Sequence, residues 1–410
     1  MVPAWLRLPA VFDRDLTLLL YSMSMRRIAM GFLQVVRAIY FALLGFSPVE
    51  IGLLLSIGTF VSALHSVSFG VLSDRFGRKP FILVGSFFAI LRMVIFAVSS
   101  DFWMLAVGQG VGAMGEGAGA GQPVVSGYIA DKTNAKTRSS IFSTLAVSNA
   151  LAATVGALMA GLPTYFQSTL GLDTVAAHAL LFWIGAGGGV ASALFLLPLK
   201  EVAATRTTVA EEPRESANAR SWGVIARFSL IRATSGVGWG FIESLLSLYL
   251  YLQFDVGGEV LGPVFAAARF LSVFTYLLVP PIVRRLGVVS TIMASRLLAG
   301  GLAAVFALTT WFPLAIALSA AMRVVLMFTM PIRQSFATGI VDPRETATAI
   351  GISNFARMSV RTVAPTVAGY MFEVISLTLP FFTGAAFLAI NGMLFKIFFG
   401  KEERREESDA

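Results

Sequence analysis

The chain has no cysteine and only two histidines among its 410 residues. Without cysteine there are no disulfides and no thiolate metal sites. His65 and His178 are too far apart to form a metal centre or a catalytic pair, and His65 reads as a hydrogen-bonded packing residue. Charge is scarce as well: 13% of residues are Asp, Glu, Lys or Arg, about half the share in an ordinary soluble domain. No phosphate-binding loop of the nucleotide hydrolases is present. The first fifteen residues carry Arg7, Asp13 and Arg14 and run straight into a long apolar segment, so the expectation is a retained span and no cleaved leader.

What remains is apolar. Hydrophobic residues make up 56% of the chain, and the mean hydropathy is +0.79. Apolar stretches of about 20 residues cross a bilayer as helices, because a helix satisfies its own backbone hydrogen bonds where no water can. Twelve are predicted, at 17–45, 49–72, 80–99, 103–129, 139–163, 178–199, 228–252, 259–282, 288–308, 311–337, 347–373 and 379–399. The formal net charge of +8 does not point to nucleic acid, because the cations sit in alternate connections between spans. Arg75, Arg78 and Lys79, then Lys132, Lys136 and Arg138, then Arg284 and Arg285, and later Arg344 mark one side. The intervening connections hold no Lys or Arg. By the positive-inside rule both termini face the cytoplasm.

The sequence repeats itself. Gly31–Gln34 matches Gly240–Glu243, 209 positions on (240 minus 31). Glu50 with Glu259, Trp103 with Trp311, Pro123 with Pro331 and Gly161 with Gly369 keep nearly the same spacing. Two parallel six-span repeats follow, at 1–199 and 222–400. A polar linker at 200–221 joins them, and a charged, solvated tail at 401–410 ends the chain.

Between the second and third spans lies Gly70-Val-Leu-Ser-Asp74-Arg75-Phe-Gly77-Arg78-Lys79. The pattern Gly-x-x-x-Asp-Arg-x-Gly-Arg-Lys resembles the signature of the major facilitator superfamily. The second half keeps only Arg285-Leu286-Gly287. The resemblance implies an all-α membrane protein with twelve transmembrane helices in two pseudo-symmetric six-helix bundles. It also implies secondary transport by alternating access, with no cofactor, no metal and no enzymatic activity. The expected partners are a small-molecule substrate, protons and the lipid bilayer of the cell membrane around a monomer. Proton-coupled export of small molecules or drugs is the first expectation, and proton-coupled uptake of a small organic anion is the alternative. A membrane-embedded enzyme and a non-transporting sensor are the remote ones.

The resemblance assigns a cytoplasmic gate to Gly70, Asp74, Arg75, Gly77, Arg78, Asp131, Arg138 and Arg344, the last three in acidic-then-basic connections after the fourth and tenth helices. It also places the first, fourth, seventh and tenth helices along a central cavity, so Gln34, Arg37, Glu116, Glu243 and Arg323 are candidates to face it. Glu116 and Glu243 are carboxylates at membrane depth, costly there and therefore candidates for proton coupling. Gln34 and Arg37 share one helix face by their three-residue spacing and are candidates for substrate. Trp239 offers an aromatic surface beside two glycines. Arg361 and Asn354 share the eleventh span with Pro365, a candidate kink. The string Gly110-x-Gly112-x-x-Gly115 imitates a dinucleotide-binding loop, but it lies inside an apolar span, where small residues serve close helix packing.

Overall fold

The computed structural model describes residues 12–114, 122–133, 135–201, 219–275, 279–329, 332–333, 336 and 346–408. Among them every regular element is helical. Helical segments overlie each of the twelve predicted spans. The first three are α1 (Arg14–Leu43), α2 (Pro48–Phe76) and α3 (Arg78–Val98); α4 (Phe102–Met114) and α5 (Gln122–Lys132) share the fourth. The fifth is α6 (Ala135–Leu158), which passes through a tight turn at Met159–Gly161 into α7 (Leu162–Leu170), and the sixth is α8 (Thr174–Leu196). The seventh and eighth hold α9 (Ala219–Glu243) with α10 (Leu246–Phe254), and α11 (Gly258–Thr275) with α12 (Val279–Leu286). The rest are α13 (Val288–Leu308), α14 (Phe312–Phe328), α15 (Thr346–Tyr370) and α16 (Leu379–Ser408). Six of the described helices are long and apolar enough to cross a bilayer unbroken.

Two departures from the sequence reading have physical causes. The seventh span breaks directly after Glu243, where the Ser244 hydroxyl bonds back to the Gly240 carbonyl and Leu245 leaves helical geometry, so Glu243 stands at a helix end. The charged tail continues α16 to Ser408, since Lys, Glu and Arg are good helix formers.

The chain divides into two compact units. Unit 1 comprises 1–44, 57–207 and 258–266; unit 2 comprises 45–56, 208–257 and 267–410. In unit 1, α1 packs on α6 and α8, and α3 on α4 and α8. In unit 2, α9 packs on α15 and α16, and α13 on α14 and α16. Each unit builds an aromatic cluster around a tyrosine. Tyr40 stands edge-on to Phe182, with centroids 4.9 Å apart, and Phe41, Phe96 and Phe182 pack around it. In unit 2 Tyr249 meets Phe381 at 4.6 Å and Phe306 at 5.2 Å. Tyr40 and Tyr249 are themselves 209 positions apart (249 minus 40).

Small residues set the helix spacing. A Cβ on Gly156 of α6 would sit 2.0 Å from the Ile28 carbonyl oxygen, and one on Gly31 of α1 would sit 2.6 Å from the Ala153 carbonyl oxygen. In unit 2, Gly52 and Gly369 bring the start of α2 equally close to α15, against Pro365 and Pro48. The glycines of the sequence motif are needed for another reason. Gly77 (φ 96°) and Gly287 (φ 76°) both turn the chain between helices in a conformation that side chains disfavour. The decayed second copy therefore keeps the backbone turn while losing the acidic residue. Gly156→Ala is expected to lower the unfolding free energy by about 1–3 kcal/mol. Gly187→Ala, with nothing within 4 Å of the added methyl, is expected to be neutral. Thermal unfolding of the two purified variants checks both.

Candidate functional site

Arg78 is the hub of the polar cluster in unit 1. Its Nε donates to Asp131 Oδ2 at 3.1 Å, and one Nη donates to the Ser73 hydroxyl at 3.1 Å. Arg78 and Asp131 are each only 12% exposed at the side chain, so the pair is shielded from water and stronger than a surface pair. Gly127 makes the approach possible, since a Cβ there would meet the guanidinium carbon at 2.4 Å. The start of α3 is capped from far along the chain. Glu201 accepts from the backbone N–H of Arg78 at 2.8 Å and of Lys79 at 3.2 Å, placing a carboxylate on the positive end of a helix. The Lys79 ammonium donates to the Leu197 carbonyl at 2.9 Å.

Lys132, one residue beyond Asp131, bridges Asp13 at 2.9 Å and also holds Asp15. Burial pushes the Asp13 carboxyl up, but the Leu16 N–H and the Lys132 ammonium outweigh it and hold it below the ordinary carboxylate range. A group with a depressed folded value stabilises at pH above its unfolded value and loses that contribution as the pH falls through the folded one. The Asp13 contribution is therefore present at neutral pH and lost in acid.

Of the other gate candidates, Arg75 is exposed near the end of α2 and Gly70 lies in the same helix. The side chains of Asp74 and Arg138, and the whole of Arg344, lie outside the described residues. Glu201, Ser73 and Gly127 escaped the sequence reading. Glu201 lies 123 residues from Arg78, inside the linker, and nothing local in the sequence ties it to the start of α3.

The candidate pathway residues fall into two local sets. In unit 1, Arg37 of α1 donates to the Gln109 side-chain oxygen of α4 at 3.2 Å. Gln109 is almost fully buried and its amide nitrogen has no partner. Gln34, one turn before Arg37, is exposed. Glu116 lies outside the described residues. In unit 2, Glu243 Oε1 accepts from the Arg323 guanidinium at 2.9 Å, with side chains 22% and 13% exposed. The structure thus joins two candidates from different spans, α9 and α14. Trp239, one turn before Glu243, is half-buried. Asn354 accepts from Arg232, and Arg361 is half-buried on the same helix.

The histidines differ from each other. A ring nitrogen of His178 bonds the Thr174 carbonyl at 2.7 Å, and the ring stacks on Tyr40. His65 packs on Phe69, with centroids 5.5 Å apart, but its Nδ1 has no partner, so it is a packing residue without the expected hydrogen bond there. Trp103 and Trp311 are 73% and 65% exposed at the starts of α4 and α14, which suits an interfacial belt.

A double-mutant cycle tests the hub. Arg78→Gln and Asp131→Asn are expected to show a coupling of about 1–2 kcal/mol in thermal or denaturant unfolding. Additive effects would contradict a direct pair.

A family model described as Major Facilitator Superfamily matches residues 16–365. The chain is similar to the inner membrane transport protein YajR of Escherichia coli K12, 30% identical over 159 residues, 38% of this chain and 32% of that one. It is similar to the class B tetracycline resistance protein of Escherichia coli, 30% identical over 139 residues, 32% of this chain and 34% of that one. The matched stretches span about a third of each of these relatives. Among solved structures, the nucleoside transporter NupG superposes with a TM-score of 0.75 at 13% identity, covering 95% of this chain and 99% of that one. At that identity the likeness concerns the fold.

Proposed function

The chain belongs to the Major Facilitator Superfamily, and from that membership we propose that it is a secondary transporter, a proton-coupled exporter of small molecules or drugs working by alternating access. The Glu243–Arg323 pair carries the reading. A carboxylate at membrane depth is expensive unless it is paired or used. The pair stands at the helix end made by the break after Glu243, where a change in pairing moves helix ends with little loss of backbone hydrogen bonding.

Protonation of Glu243 removes the charge that holds Arg323, and deprotonation restores it. A proton and Arg323 therefore compete for one carboxylate, and the conformation that favours one disfavours the other. Glu116 is the second carboxylate of this pathway. Arg37, oriented by Gln109, and Gln34 on the same face of α1 take polar groups of the substrate, and Trp239 takes an aromatic part. Arg361 and Asn354 extend the polar surface along α15. The Arg78, Asp131 and Glu201 cluster, with Asp74, Arg75, Arg138 and Arg344, fastens the cytoplasmic end in one state.

The similarity to a tetracycline resistance protein favours export, since removal of a drug from the cell produces resistance. The protein acts as a monomer in the plasma membrane, with both termini in the cytoplasm and without metal or cofactor.

Proteoliposomes loaded with a pH-sensitive dye and given a tetracycline gradient test the reading. The intact protein is expected to move protons with the drug, and Glu243→Gln and Glu116→Gln are expected to reduce that movement to background. Unchanged proton movement in both variants would contradict the site.

A further inference from the structure

Among the described residues of unit 2, four guanidinium groups converge without a carboxylate beside them. Arg232 lies on α9, Arg296 on α13, Arg333 on the short helical stretch after α14, and Arg357 on α15. Arg333 lies within electrostatic range of Arg232, Arg296 and Arg357, and Arg232 within range of Arg296 and Arg357, with Arg361 also acting on Arg357. Their partners are neutral. Arg232 donates to Asn354, Arg296 to the Ser235 hydroxyl at 3.3 Å, and Arg333 to the Thr329 carbonyl at 3.3 Å. The Nε groups of Arg232, Arg296 and Arg357 are buried with no partner, and Arg296 is only 1% exposed. Among the described residues of unit 2 no carboxylate bridges any of the four. Glu243 is held by Arg323, and Glu50 and Glu373 accept backbone N–H groups of Ser47 and Val49.

Two of the four cations, Arg232 and Arg333, open onto a small cavity. Arg232, Arg333, Ser235 and Asn391 line it with polar atoms, and Phe228 and Phe395 close it with apolar ones. Buried charges in proteins are paired or hydrogen-bonded, because desolvation without compensation is prohibitive. Guanidinium is the side-chain group best suited to hold an anion in such a place. We propose that unit 2 binds a compact inorganic anion, chloride or a small oxyanion, in this cavity, and that the anion supplies counter-charge to Arg232 and Arg333, which line it, and at longer range to Arg296 and Arg357. The site is distinct from the Glu243–Arg323 pair and does not depend on the transport reading.

Thermal unfolding of the full chain in nanodiscs of zwitterionic lipid, at matched ionic strength, tests the proposal. Chloride or phosphate is expected to raise the melting temperature saturably over gluconate, which is too bulky for the cavity. Arg333→Gln and Arg232→Gln are expected to raise the half-saturating concentration by about tenfold or more. Ser235→Asp places a fixed carboxylate beside Arg296. It is expected to raise the melting temperature in gluconate and to abolish the response to added anion, so the test stands even where an arginine variant fails to fold. Equal melting temperatures in all three anions would overturn the proposal. So would a response that Ser235→Asp leaves intact, or protection given only by an anionic phospholipid in the nanodisc.

Discussion

A charge inside hydrocarbon must find an opposite charge or a strong dipole, and the placement of the polar side chains in this protein follows from that requirement. Water is not available as the partner of last resort, so several deep polar groups are held by a polar neighbour on another helix. Arg37 is held by Gln109, Glu243 by Arg323, and Asn354 accepts from Arg232. The same rule makes exchangeable pairs into switches, since loss of one charge frees its partner. Where the rule is unmet, as among the four arginines of unit 2, the structure points to a ligand.

The helices supply the geometry that such pairs need. Close contact at Gly31 and Gly156 and at Gly52 and Gly369 fixes the distances between neighbouring helices, and breaks such as the one after Glu243 decide where a side chain emerges. Rigid spacing and local breaks act together.

Much of this was legible in the sequence because it depends on local chemistry. Apolar length fixed where helices run, and Gly77 and Gly287 both proved to be turns of positive φ. Tyr40 and Tyr249, each at the centre of an aromatic cluster, keep the 209-residue spacing of the repeat, but the sequence did not mark them out. The polar partners were harder to read, because they depend on which helix faces lie together. Arg323 was a cavity candidate from its span, but its pairing with Glu243 depends on how α9 and α14 meet. Gln109 looked like part of a glycine-rich stretch, and Glu201 like part of the linker. The arginine cluster draws on four separate spans, and convergence of that kind is a property of packing alone.

The central claim is that Glu243 exchanges Arg323 for a proton. Infrared difference spectroscopy across a pH step reads this directly, because a carboxylate that takes up a proton gains a carbonyl band. The pairing predicts such a band in the intact protein, its loss in Glu243→Gln, and its appearance at higher pH when Arg323→Gln removes the competing cation. A spectrum in Glu243→Gln identical to that of the intact protein would contradict it.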